Sequence, residues 1–203
     1  MRSPAARADM RLTYDDFVLF PDDGKRHEII DGEHVVTPSP NVRHQRLVGR
    51  LLYEIELYLR ANPRAGEVFP APLDVLLSPF DVVEPDLFVV TGDQAGILTE
   101  KNVQGPPALV IEVLSKSTRK RDAQTKRRLF ERSGVREYWL VDPELDALQV
   151  FRLSPEGRLA LAAWDRPGSG IAWPATIKSA LKKSAVPSSE ARHCSTSKAI
   201  RKA

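Results

Sequence analysis

A carboxylate stands where a strand should be apolar. Glu112 interrupts the run Ala108-Leu109-Val110-Ile111-Glu112-Val113-Leu114, and a charge in a buried strand costs several kcal/mol unless it is paired or binds a metal. Alternation along an extended chain puts Val110, Glu112 and Leu114 on one face and Leu109, Ile111 and Val113 on the other, so Glu112 opens toward a polar feature beside the sheet. A second carboxylate, Asp86, sits at the entry to another apolar stretch, Glu84-Pro85-Asp86-Leu87-Phe88-Val89-Val90. Two such groups on neighbouring strands can hold one Mg²⁺, with waters filling the octahedron, and oxygen-only donors favour Mg²⁺ or Mn²⁺ over zinc. An ion of that kind acidifies a bound water and stabilises a pentavalent phosphate. Alternatives stay open at each position. Asp86, following a proline, also suits a strand-entry turn, Glu112 also suits a buried partner for an arginine, and Glu28 also suits the surface of a hairpin.

The elements that must carry these residues follow from pattern. Thr13, followed by Asp15 and Asp16, resembles a helix start, and residues 21–24 form a turn. RHEIIDGEHVVT reads as a β-hairpin around Asp31-Gly32, the strongest two-residue hairpin signal. Leu47, Leu51, Ile55 and Leu59 recur at a spacing of four within residues 42–60, which predicts an amphipathic helix stopped by Pro63. EVFPAPLDVLLS contains two strand-like pieces, and residues 92–107 read as a loop with one short helical turn. The run around Glu112 predicts a buried central strand. A helix is expected over about 120–133, ended by Gly134. REYWLVDP is a further strand, and ALQVFRLS with RLALAAW makes a second hairpin. The order predicts an α+β fold with a mixed β-sheet flanked by helices and preceded by a β-hairpin.

Composition narrows the class. The chain has 203 residues, 42% hydrophobic and 28% charged, enough for one domain with a real core plus extensions. A single cysteine, Cys194, excludes a disulfide framework and a cysteine-rich zinc site within one chain. No stretch of about 18 apolar residues is present, so no membrane-spanning helix is expected. The basic start lacks the apolar run of a secretory signal, and a cytoplasmic location is expected. Net charge is only +3, yet residues 119–136 hold eight basic residues against Asp122 and Glu131, and residues 174–203 hold seven against Glu190. An acidic body carrying two basic segments points to a phosphate-bearing partner. The expected organisation is a disordered lead-in over 1–11, a domain over 12–164 and a basic, disordered tail over 165–203.

Several long pieces together carry a family resemblance: RHEIIDGE, SPNVRHQRLVGRL, EPDLFVV, PALVIEVLSKSTRKRD and KRRLFERSGVREYWLVDP. They span most of residues 12–153, and the chain thereby resembles the family known as putative restriction endonucleases, within the PD-(D/E)xK nuclease superfamily. The resemblance implies a restriction-endonuclease-like core and metal-dependent hydrolysis of DNA phosphodiester bonds, with Mg²⁺ or Mn²⁺ as cofactor. It implies that Asp86 is the aspartate of the motif and Glu112 its second acidic residue. The usual lysine two residues after that glutamate is absent, since position 114 is Leu, and the resemblance assigns its place to Lys126 on the following helix. Lys126 would orient or help deprotonate the attacking water, or neutralise the phosphate. Glu28 would be a third acidic group near the metal, with His44 and Gln45 as a supporting polar pair. Arg119, Lys120, Arg121, Arg127 and Arg128 would contact nucleic acid, and a homodimer is an expectation for a nuclease that cuts both strands.

The chain after Trp164 carries none of the family's final apolar pattern. An ending replaced by a frameshift and a divergent basic arm gripping nucleic acid are both open there. Three functions therefore stand side by side: a DNA-cleaving enzyme, an inactive nucleic-acid-binding module on the same fold, and a protein-interaction partner using the basic tail.

Overall fold

The computed structural model describes residues 11–63, 65–165, 173–184 and 186. A short helix α1 (Tyr14–Phe17) leads into the hairpin β1 (Arg26–Ile30) and β2 (Glu33–Thr37). At the hairpin tip both Asp31 and Gly32 have positive φ, the backbone that matches the twist of the paired strands. Helix α2 (Val42–Ala61) follows. The Asn41 side chain caps it by accepting from the His44 amide at 2.9 Å, satisfying an N–H that would otherwise lack a partner. Next come β3 (Glu67–Pro70), β4 (Val75–Ser78), β5 (Asp81–Val83), β6 (Leu87–Val90), β7 (Val103–Gln104) and β8 (Leu109–Val113). A π-helical segment, Arg121–Lys126, runs directly into α3 (Arg127–Ser133). Strands β9 (Glu137–Asp142), β10 (Ala147–Leu153) and β11 (Leu159–Asp165) precede a last helix, α4 (Trp173–Lys182).

The fold is α+β as expected, but its strands make two sheets instead of one. One has the order β2-β1-β5-β4-β7 and the other β11-β10-β9-β8-β6-β3. Each is mixed, with β4/β7 and β8/β9 the parallel pairs. The split has a local cause. Pro85 lacks an amide donor, so no strand can run unbroken from Asp81 to Val90. The chain leaves the five-stranded sheet after Val83 and enters the six-stranded sheet at Leu87, and Glu84-Pro85-Asp86 is the step between them.

The six-stranded sheet lies in the middle of the core. One face buries Leu87, Val89, Leu109, Ile111 and Val113 against α2 and α4. The other buries Phe88, Val110, Leu114 and Tyr138 against Leu129 and Phe130 of α3 and against Ile30, Val75 and Val83 of the second sheet. The alternation expected along β8 is therefore observed, with Glu112 on the face toward α3.

The expected boundary at residue 164 differs from what is observed. Ile177, Leu181 and Val186 lie in the same core as Leu51, Ile55 and Leu59 of α2, so the folded body extends through α4. Trp173, Ile177 and Leu181 recur at a spacing of four along this helix, but three positions over ten residues, beside Pro174 and among Lys, Ser and Ala, are too few to stand out as a periodic pattern. The expectations for residues 1–10, 166–172, 185 and 187–203 lie outside the described residues. No described helix is long and apolar enough to cross a membrane.

Candidate active site

The strand register brings the two motif carboxylates together. Leu87 pairs with Ile111 in the antiparallel β6/β8 ladder, so Asp86 and Glu112 fall at opposing positions one step further along. Both line a cavity of about 340 Å³, together with Arg26, His44, Asp122 and Lys126. Asp86 is 3% exposed and fully engaged. Oδ2 accepts from the Val113 amide at 2.8 Å and from His44 Nε2 at 3.0 Å, and Oδ1 accepts from Arg26 Nη1 at 3.0 Å. Burial pushes the Asp86 carboxyl up, but His44, Arg26 and the Val113 amide outweigh it and hold the group at about 2. His44 reaches the site because it lies at the first turn of α2, held by the Asn41 cap.

Lys126 sits between two carboxylates. Its ammonium is 2.7 Å from Glu112 Oε1 and 2.7 Å from Glu28 Oε1, and all three residues are buried. Burial alone would lower the Lys126 pKa, yet the Glu112, Glu28 and Asp122 carboxylates raise it well above the ordinary lysine value. The ammonium form is thus locked in, which argues for a fixed positive charge and against a proton-abstracting base. Burial likewise pushes Glu112 up to about 8, against the pull of Lys126 and with Asp86, Asp122 and Glu28 adding repulsion. The crowding of carboxylates raises Lys126 and adds to the effect of burial at Glu112. Four buried carboxylates, Glu28, Asp86, Glu112 and Asp122, share the cations Arg26, Lys126 and Arg121, so carboxylates outnumber cations and the fully ionised cluster carries excess negative charge.

That excess suits a cation. Asp86 and Glu112 reach the cavity from opposing positions of the β6/β8 ladder, with Asp122 and Glu144 also in its lining; the pair offers oxygen donors only, and an added positive charge between them would offset the burial and the repulsion that raise Glu112. Glu28 takes a different place from the one expected beside a metal. It is fully buried, accepts from the Glu84 amide at 3.0 Å and is absent from the cavity lining; it grips Lys126 from behind. Among the described residues no three His, Cys, Asp or Glu side chains converge as a ready ligand set. Gln45 is exposed and lines an adjoining hollow with Arg26, Glu84 and Asp86.

The basic helix is less free than its composition implies. Arg119 pairs with Asp142 and with Glu144 at 3.1 Å. Arg121 donates to Thr37 Oγ1 at 2.7 Å, and the Arg127 guanidinium stacks 5.0 Å over the Phe151 ring. Lys120 and Arg128 are exposed. Two site residues escape a sequence reading. Arg26 shares a β1 face with Glu28, two positions on, which is a usable signal, but its partner Asp86 is 60 residues away. Asp122 looks like one more charge in a helical run, and the π-helical turn buries it.

Comparison with known proteins bears on the fold and the family. A nuclease of the DUF820 group from Anabaena variabilis, described as putative, superposes with a TM-score of 0.65 at 18% identity, over 82% of this chain and 96% of that one. At that identity the likeness concerns the fold. Among curated proteins nothing matches. A family model described as Uma2, putative restriction endonuclease, matches residues 14–181, running through α4 where the sequence alone showed no family pattern. The chain belongs to the Uma2 family.

Proposed function

We propose that the protein is a divalent-metal-dependent endonuclease that hydrolyses DNA phosphodiester bonds in the cavity between β8 and the π-helical turn. The observation that carries this reading is the convergence of Asp86 and Glu112 from adjacent strands on one cavity, beside a buried lysine held as a cation. Asp86 and Glu112 would hold Mg²⁺ or Mn²⁺, which when bound supplies Lewis acidity toward the phosphate and a more acidic water. The remaining work belongs to the chain. Arg26, His44 and the Val113 amide keep Asp86 ionised and fixed in direction. Lys126 offers a permanent positive charge to a phosphate oxygen or to the attacking water. Glu28 is a positioning residue that sets the Lys126 ammonium against Glu112. DNA is the substrate class that the family description supports best.

One observation favours a second reading. Both oxygens of Asp86 and one of Glu112 already have protein partners, as in a closed structural cluster, and a nucleic-acid-binding module without cleavage would show the same contacts. Calorimetric titration of Mn²⁺ into the wild type, Asp86→Asn and Glu112→Gln, alongside nicking of supercoiled DNA, separates the two. The nuclease reading expects Mn²⁺ binding and nicking in the wild type and neither in the variants. A folded wild type that takes up no Mn²⁺ and cuts nothing would leave the binding module.

A further inference from the structure

Beyond the cavity, α2 presents a line of exposed side chains with no role in the site described. Arg43, Arg46, Arg50 and Tyr53 are all exposed, Tyr53 at 61%. At about 100° per residue they fall within one narrow stripe along the helix. The stripe begins at the cavity. Arg43 lines its mouth beside Pro143 and donates to the Pro143 carbonyl. It continues into a separate hollow of about 320 Å³ lined by Arg43, Arg46, Leu47, Arg50, Pro143 and Asp146. Nearby carboxylates are engaged elsewhere: Glu54 by Lys178 at 3.5 Å and Glu56 by Arg60 at 3.0 Å. The three arginines form no ion pair with any described residue, in contrast to Arg119 and Arg121 at the site's other wall.

We infer that the Arg43–Arg46–Arg50 stripe of α2, with Tyr53 at its far end, is the track that holds the phosphate backbone of a polynucleotide leading into the cavity. Guanidinium groups bind phosphate oxygens through two parallel N–H donors. From position 43 to 50 the helix rises about 10 Å, which is the reach of two to three backbone phosphates of a strand. An exposed tyrosine in line with them offers a face on which an unpaired base can stack. The hollow gives the backbone a concave seat. This inference rests on the reading of the cavity as a polynucleotide site, and it moves the main contact surface from the α3 segment to α2.

The test measures binding without cleavage. Fluorescence anisotropy follows the full chain binding a labelled DNA, single-stranded or duplex, in EDTA across a sodium chloride series. Arg46→Ala/Arg50→Ala is expected to weaken binding roughly tenfold and to reduce the slope of log Kd against log salt by about 2. Arg46→Lys/Arg50→Lys is expected to restore most of that slope, which a merely structural role for the arginines would not predict. Both pairs are exposed, and matching thermal melts verify that the variants fold. An Arg46→Ala/Arg50→Ala chain that binds with the wild-type affinity and slope overturns the track, as does a wild type that binds neither DNA. Because EDTA silences hydrolysis, loss of binding in the alanine variant supports the track even in a chain that never cuts.

Discussion

Lys126 is the residue on which most of the buried charge turns. Its ammonium is the shared partner of Glu28 and Glu112, and removing one side of a buried ion pair leaves uncompensated charge. Lys126→Met is therefore expected to lower unfolding free energy by about 3–5 kcal/mol in urea at pH 7. A loss below about 1 kcal/mol would contradict the ion-pair account. Glu84 gives a pH signal. Burial, with repulsion from Asp74, raises its carboxyl from 4.5 to about 7. Below about pH 4.5 the group is neutral in both states and costs nothing. Between about 4.5 and 7 the unfolded chain ionises first, so stability falls as pH rises, and above about 7 the loss is complete. Glu84→Gln should thus melt higher than the wild type at pH 8 and at the same temperature at pH 4. A difference at pH 4 as large as that at pH 8 would remove the carboxyl from the explanation.

At the scale of elements, the π-helical turn is what turns Asp122 and Lys126 into the core together. Tyr138 on β9 steadies it, donating its hydroxyl to the Asp122 carbonyl at 3.0 Å in a fully buried setting. Tyr138→Phe removes that hydrogen bond and should cost about 1–2 kcal/mol in denaturant unfolding; an unchanged midpoint would mean that the turn holds itself. Such a turn has no sequence signature, whereas α2 and the first hairpin were legible because four-residue spacing and Asp31-Gly32 are local signals. The strands Asp81–Val83 and Val103–Gln104 are too short to show alternation, so the second sheet could not be read. The site divides in the same way. Glu112 stands out as a charge among apolar neighbours and Asp86 as a carboxylate at the entry to an apolar strand, while Lys126 is legible only through the resemblance. The ties of Arg26 to Asp86 and of Arg121 to Thr37 join positions 60 and 84 residues apart, which no local pattern encodes.

At the scale of the molecule, α4 completes the cover of the central sheet. Ile177 is 1% exposed and Leu181 is 0% exposed, both in the core beside α2. Ile177→Ala and Leu181→Ala are each expected to cost about 2–4 kcal/mol, measured by urea unfolding, and limited proteolysis should spare residues 173–182 in the wild type. Early cleavage there, with no loss in the alanine variants, would detach α4 from the core. The two sheets meet through charge as well as through the apolar contacts of Ile30, Val75 and Val83 with Phe88 and Val110. Arg26 and Glu28 belong to one sheet, Glu112 to the other and Asp86 to the step between them, and the Arg26–Asp86 and Glu28–Lys126–Glu112 contacts close the seam. The residues read as chemistry are therefore also the clasp of the molecule. Selection for staying shut therefore bears on these positions in its own right, apart from any chemistry they perform.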